Sequence, residues 1–232
     1  MRDFPWFRTA HADDRGPRYD GFALFNYVKA ELARGNPDQQ YVNSLIYAFK
    51  DNNDAAVEVV SAIAKSALEE LILGAWKSQR LPAPTDLGGD KWAHTAAYED
   101  GYADAGWFDR ELIAIPGHRA GVGKSATDRL AQHLDSVLEE LLDPDHPFTY
   151  SATTTLERYI SLPEASRIKR KSILEHLRTI RVNSTAGTEQ ERFVLMDDVY
   201  TTGATFAACK QLLRQKRASA DVIGLFLAIT AY

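Results

Sequence analysis

Only one cysteine, Cys209, stands among the 232 residues. A lone thiol excludes an internal disulfide framework and a cysteine-only zinc knuckle, and it fits a reducing, cytoplasmic setting. Long apolar runs are missing as well, so no segment is expected to span a bilayer. The opening stretch "MRDFPWFRTAHADDRG" lacks an apolar core of signal-peptide length and carries acids early. There is no repeat of fixed period and no low-complexity tract. Positive charge is not in excess: the formal net charge is -5, which argues against a general nucleic-acid coat. What is present is the apolar and charged composition of an ordinary globular chain, of a length that suits one α/β domain with additions over residues 1–232.

The pattern along the chain predicts helices over 22–34 and 38–50, both with aromatic faces. A clearer helix is expected over 54–74, where Val57, Val60, Ile63, Ala64, Ala67, Leu68, Leu71 and Ile72 recur at three- and four-residue spacing, with Asp54 as a candidate cap. Pro, Gly and aromatics break the pattern from about 77 to 108, which reads as a long loop or lid. "ELIAIPG" (111–117) predicts a buried strand, 125–142 a helix, and "PFTYSATTT" (147–155) a second strand. Residues 163–179 read as a basic helix, 192–198 as a buried strand, 204–216 as its following helix and 220–230 as a last strand. Strands alternating with helices argue for a parallel sheet flanked by helices on both faces. Ligands of such sheets bind at the carboxyl ends of the strands, where both "PGHRAGVGKS" and the pair Asp197–Asp198 fall.

"DDVYTTGAT" (197–205) is the stretch richest in chemistry. Gly203 allows a tight turn and close backbone approach. Thr201, Thr202 and Thr205 bring hydroxyl donors, and the helix starting near Ala204 directs amide N–H groups and a positive dipole end into the loop. That combination suits a phosphate dianion. The two carboxylates would repel such a phosphate, but they can accept hydrogen bonds from sugar hydroxyls or help to hold a magnesium ion. A ribose 5-phosphate satisfies both halves.

An apolar strand, two acids and a Thr-Gly-x-Thr loop in this order resemble the signature of type I phosphoribosyltransferases. The resemblance implies that Thr201, Thr202, Gly203, Ala204 and Thr205 bind the 5-phosphate of phosphoribosyl pyrophosphate (PRPP), and that Asp197 and Asp198 contact its ribose. A weaker likeness over about 40–230 is to the competence-associated, ComF-like branch. "SLIYAFKDNNDAAVEVVSAIA" resembles that branch's segment in which a lysine, here Lys50, follows a helix; "IAIPGHR" resembles its strand and pyrophosphate loop; "LERYISLPEASRIKRKSI" resembles its arginine-bearing variable loop, with Arg158 the best match. The chain departs from the branch in having no four-cysteine zinc element, and in carrying "GKSATDRL" where Arg-Gly-Phe-Asn usually stands. Thr201 occupies the place of a carboxylate that relatives acting on 6-oxopurines use for the base, which argues against that acceptor class. The family also implies magnesium as cofactor, a homodimer, a helical hood over the acceptor site (about 1–108) and a PRPP-binding core (about 109–232). Catalysis would displace pyrophosphate from ribose C1 by a nitrogen nucleophile. Positioning and charge neutralisation would do most of the work, with Arg119 and Lys124 after the "IAIP" strand, and Arg158, Arg167, Lys169, Arg170 and Lys171 on a closing flap.

Plainer readings stand beside these. An acid pair at a strand end can be a solvated cap, "RIKRK" an exposed helix face, and Trp92, Tyr98, Tyr102 and Trp107 pins for the long loop rather than a platform for a base. His118 has no partners at metal-ligand spacing, and Cys209 reads as a small packing residue. Two other functions compete. "GHRAGVGKS" (117–125) resembles a Walker A loop, which would make the chain a P-loop nucleotide hydrolase, although Gly117 lies one residue too early for that spacing. A PRPP fold can also serve as a non-catalytic sensor of PRPP or a nucleotide.

Overall fold

The computed structural model describes residues 6–7, 21–29, 31–68, 110–121, 124–141, 150–153, 155–162, 172–183 and 192–230. Eight strands and five helices are present among them: β1 (Trp6–Phe7), β2 (Gly21–Tyr27), α1 (Pro37–Lys50), α2 (Asp54–Leu68), β3 (Arg110–Ala114), α3 (Ala126–Leu141), β4 (Tyr150–Thr153), β5 (Leu156–Arg158), α4 (Ile173–Leu177), β6 (Ile180–Val182), β7 (Arg192–Tyr200), α5 (Ala204–Lys216) and β8 (Asp221–Thr230). The main sheet has the order β1-β2-β8-β7-β3-β4, and β5 with β6 forms a separate two-stranded ribbon. β2, β8, β7, β3 and β4 run parallel to their neighbours, and only the short edge strand β1 is antiparallel. The α/β architecture with a mostly parallel sheet is therefore as expected.

Alternation along the strands sends side chains to two cores. Leu112, Val194, Met196, Leu225 and Leu227 meet α1, α2 and α3 through Ile46, Phe49, Val57, Val60, Leu130 and Leu134. On the other face, Ile113, Phe193, Leu195, Val222 and Phe226 meet α5 through Phe206, Cys209 and Leu213, and the ribbon through Leu156 and Ile180. Strands covered on both faces carry near-continuous apolar runs, which is why "RFVLM" and "VIGLFLAI" were legible as strands.

The first helix expected from the pattern, 22–34, is a correction. Residues 21–27 form β2, which pairs with β8 from Gly21 opposite Gly224 to Tyr27 opposite Thr230. Phe25 and Tyr27 suit a pleated, packed surface, and pairing with a buried neighbour outweighs the helix-favouring residues that follow. Helix α1 begins as capping chemistry dictates: the Asn36 side chain accepts from the Gln39 N–H, and Pro37 holds the first turn. At α2 the cap is Asn53, whose Oδ1 accepts from Ala56 N–H at 3.2 Å; Asp54 instead pairs with Arg129 at 2.7 Å. The described part of the expected basic helix 163–179 contains only the five-residue α4, which opens with a capping box between Ser172 and Glu175. The long loop 77–108, with Trp92, Tyr98, Tyr102 and Trp107, lies outside the described residues, as do Arg167, Lys169, Arg170 and Lys171.

Candidate functional site

Parallel pairing brings the ends of β3 and β7 side by side. Ala114 lies opposite Met196, and Ile115 N–H donates to the Met196 carbonyl at 2.7 Å. The loop that leaves β3 at Pro116 thus lies beside the acids of β7, although β7 does not end at Asp198 as the sequence pattern suggested but stays paired with β8 through Tyr200.

Asp197 and Asp198 both fold back onto the chain. Asp198 N–H donates to Asp197 Oδ1 at 2.8 Å, and Val199 N–H donates to Asp198 Oδ1 at 2.6 Å. The second oxygen of Asp198 is 3.3 Å from Lys50 Nζ at the end of α1. The lysine singled out by resemblance therefore reaches the acid pair across the fold. Asp197 has its carboxyl pushed well above the ordinary range, first by burial and next by the charge of Asp198; the Asp198 amide and the Lys50 ammonium oppose the shift. The Lys50 ammonium offsets the charge of Asp198, so an approaching phosphate meets less repulsion than two bare aspartates would present.

After β7, Thr201 and Thr202 lead to Gly203, which adopts the left-handed conformation (φ 73°, ψ 4°) and caps α5 without a side-chain hydrogen bond. Glycine is required twice here. A Cβ would meet the phenol of Tyr200, and the backbone angle is one that branched residues rarely adopt. Thr202 Oγ1 accepts from Ala204 N–H at 3.4 Å. The 13-residue α5 then starts with the geometry that suits an anion: a tight loop, then helical amides and the dipole's positive end.

Arg158 does not stand on a free flap. It ends β5, is 4% exposed, and donates through Nε to the Gly117 carbonyl, through Nη2 to the Pro116 carbonyl at 3.3 Å and through Nη1 to Thr179 Oγ1 at 2.6 Å. Burial lowers its pKa. Arg119 is exposed in the loop that Arg158 braces, and the same loop is tied to residues 161–162 by Ala120 N–H to Ser161 Oγ (2.9 Å) and Leu162 N–H to the His118 carbonyl (2.8 Å). Lys124 is exposed and donates to Gln132 Oε1 at 3.0 Å on α3. Arg170 lies outside the described residues.

One residue of this edge has no signal in the sequence. His176, on α4, is buried with Nδ1 3.4 Å from Arg158 Nη2 and Nε2 3.3 Å from Thr205 Oγ1. It stands 29 residues before Thr205 and belongs to no motif; only the fold brings them together. A cavity of about 510 Å³ lies elsewhere, between the ribbon and α5, lined by Tyr159, Ile180, Arg181, Val182, Leu212, Gln215 and Lys216. It shares no residue with the acid pair or with the 201–205 loop. Among the described residues no group of three or more His, Cys, Asp and Glu side chains is arranged to hold a metal ion, and no helix is long and apolar enough to cross a membrane. No protein-family model matches the chain, and no curated protein matches it.

Proposed function

We propose that the chain binds PRPP with magnesium at the β3–β7 edge and transfers its phosphoribosyl group to a nitrogen nucleophile, in a fold of the type I phosphoribosyltransferase kind. One observation carries the reading: the acid pair of β7 is followed, after Val199, Tyr200 and two threonines, by a left-handed glycine that opens a 13-residue helix. The 5-phosphate sits on Thr201–Thr205. Asp197 and Asp198 hold the ribose hydroxyls, Asp198 after exchanging Lys50 for a hydroxyl or sharing it. The loop 116–121, with Arg119, receives the pyrophosphate, and Lys124 assists from the start of α3. The C1–O bond breaks with its electron pair going to pyrophosphate, while the acceptor nitrogen forms the new bond to C1 and releases a proton. Within 1–108, β2, α1 and α2 belong to the sheet and the layer that covers it, so the hood for the acceptor would fall to the 77–108 segment.

Magnesium fits this edge as an ion that arrives with its ligand. The donor set is a pair of hard carboxylates, one of them reluctant to ionise, and Mg²⁺ needs few protein ligands because it keeps waters and phosphate oxygens. It would neutralise charge on the departing pyrophosphate.

Titration calorimetry with PRPP and Mg²⁺, alongside ribose 5-phosphate, tests the binding. Gly203→Val should abolish both, whereas Lys124→Ala should weaken PRPP partly and ribose 5-phosphate hardly at all. A Lys124-dependent ATPase indifferent to Gly203 would replace this reading by the P-loop one. Pyrophosphate release across a panel of nitrogen acceptors tells a transferase from a sensor.

A further inference from the structure

Arg158, His176 and Thr179 are 4%, 6% and 7% exposed, and together they form a polar cluster behind the two loops of the edge. The guanidinium has only donors to offer. The ring atom it faces, His176 Nδ1 at 3.4 Å, must then present its lone pair. A neutral imidazole with Nδ1 as acceptor carries its proton on Nε2, and Nε2 lies 3.3 Å from Thr205 Oγ1. The threonine hydroxyl accepts that proton and keeps its own for another partner.

We propose that His176 is a positioning residue of the 201–205 loop: held as the Nε2–H tautomer by Arg158, it donates to Thr205 Oγ1 and turns the Thr205 hydroxyl proton toward the phosphate. The role rests on reading 201–205 as a phosphate loop. It also ties that loop to the one after β3, because the same guanidinium donates to the Pro116 and Gly117 carbonyls. Thr179 anchors the arrangement by accepting from Arg158 while donating to the Glu175 carbonyl at 2.9 Å.

Ribose 5-phosphate titrations of folded variants test it. His176→Phe should weaken binding roughly tenfold, the loss of one good hydrogen bond. His176→Gln, which keeps an N–H donor, should recover most of that. Thr205→Val should cost about as much as His176→Phe, and the double variant no more than Thr205→Val alone, since the histidine acts through the threonine. Full affinity in His176→Phe, or losses that multiply in the double variant, would overturn the proposal. A readout without ligand comes from ¹⁵N-histidine NMR at neutral pH, with the His176 signals identified by their absence in His176→Gln. A protonated Nε2 and bare Nδ1 are expected; the opposite tautomer refutes the relay even where ribose 5-phosphate binds well. A wild-type protein that shows the expected tautomer but binds no ribose 5-phosphate refutes the phosphate-loop reading, and the positioning role falls with it.

Discussion

Asp197 illustrates a tension between stability and binding that can be measured at a single residue. Its native carboxyl holds a proton to higher pH than the ordinary value of 3.8. Between the unfolded and native values the native state binds more protons than the unfolded one, so stability falls as pH rises through that window. Asp197→Asn removes this penalty while its Oδ1 can still accept from the Asp198 amide. The variant should melt higher than wild type at neutral pH, with the gap closing toward pH 4. PRPP affinity should drop nonetheless, because an amide cannot match the bond to a ribose hydroxyl that Asp197 makes once the ligand and Mg²⁺ draw it into its ionised form, a charge-assisted hydrogen bond contributing on the order of 1.5–3 kcal/mol. Thermal melts from pH 4 to 8, with calorimetry on the same samples, check both halves; a variant less stable than wild type at pH 7 would refute the electrostatic account. Gly203→Val acts in the opposite sense at the same loop, with a strained backbone and the Tyr200 phenol in the way. It should lose roughly 1–3 kcal/mol in denaturant unfolding, besides its ligand.

At the scale of elements, the β5–β6 ribbon acts as a brace. Arg181 pairs with Glu157 at 3.0 Å on its exposed side, but Arg158 holds the loop after β3 from within. Arg158→Ala would leave two carbonyls and the Thr179 hydroxyl short of a donor, at a cost of about 3 kcal/mol in unfolding free energy. Arg158→Lys should recover little, since one ammonium cannot reproduce a fork that serves several acceptors. Denaturant unfolding of the two variants decides this, and full rescue by lysine would show that charge alone suffices. The ribbon also marks where the sequence ran out of information. β7, α5 and β8 were legible because each is long, uniformly apolar or periodic, and punctuated by a motif. β5 and β6 have three residues each, too few for a period to emerge, and they exist because β5 pairs with β6 and β6 packs on α5. β2 was misread for a related reason: "ALFNYVKAEL" mixes strand-favouring aromatics with good helix formers, and only the neighbour β8 decides between them. At the site, the acid pair and glycine loop were visible as a local run, and Lys50 through resemblance. His176 and Thr179 were not, because their roles depend on what Arg158 touches.

Across the whole molecule, the two layers of helices and the ribbon meet on a sheet whose carboxyl edge gathers Lys50, Asp197, Asp198, the 116–121 loop and the 201–205 loop. A ligand that spans the last two links parts of the chain 80 or more residues apart, and it should stabilise the fold as a unit. Free PRPP with Mg²⁺ at a hundred times its dissociation constant should add about 2.7 kcal/mol. For a chain of this length that means a rise in Tm of roughly 5–11 °C. Differential scanning fluorimetry across a PRPP series should trace that rise, and Asp197→Asn/Asp198→Asn should flatten it. An unchanged Tm at saturating PRPP would count against binding at this edge.

Cys209 turns this architecture into its own clock. The side chain is fully buried beneath α5, and burial pushes its thiol pKa up, so a soluble alkylating reagent can reach it only when the helix lifts from the sheet. No other thiol competes. The rate of labelling in native buffer, divided by that of the unfolded chain, therefore reads the free energy of opening behind the 201–205 loop without any added probe. Ribose 5-phosphate that seats on the N-terminus of α5 must slow this clock in proportion to its occupancy, whereas a ligand lodged elsewhere need not change its rate.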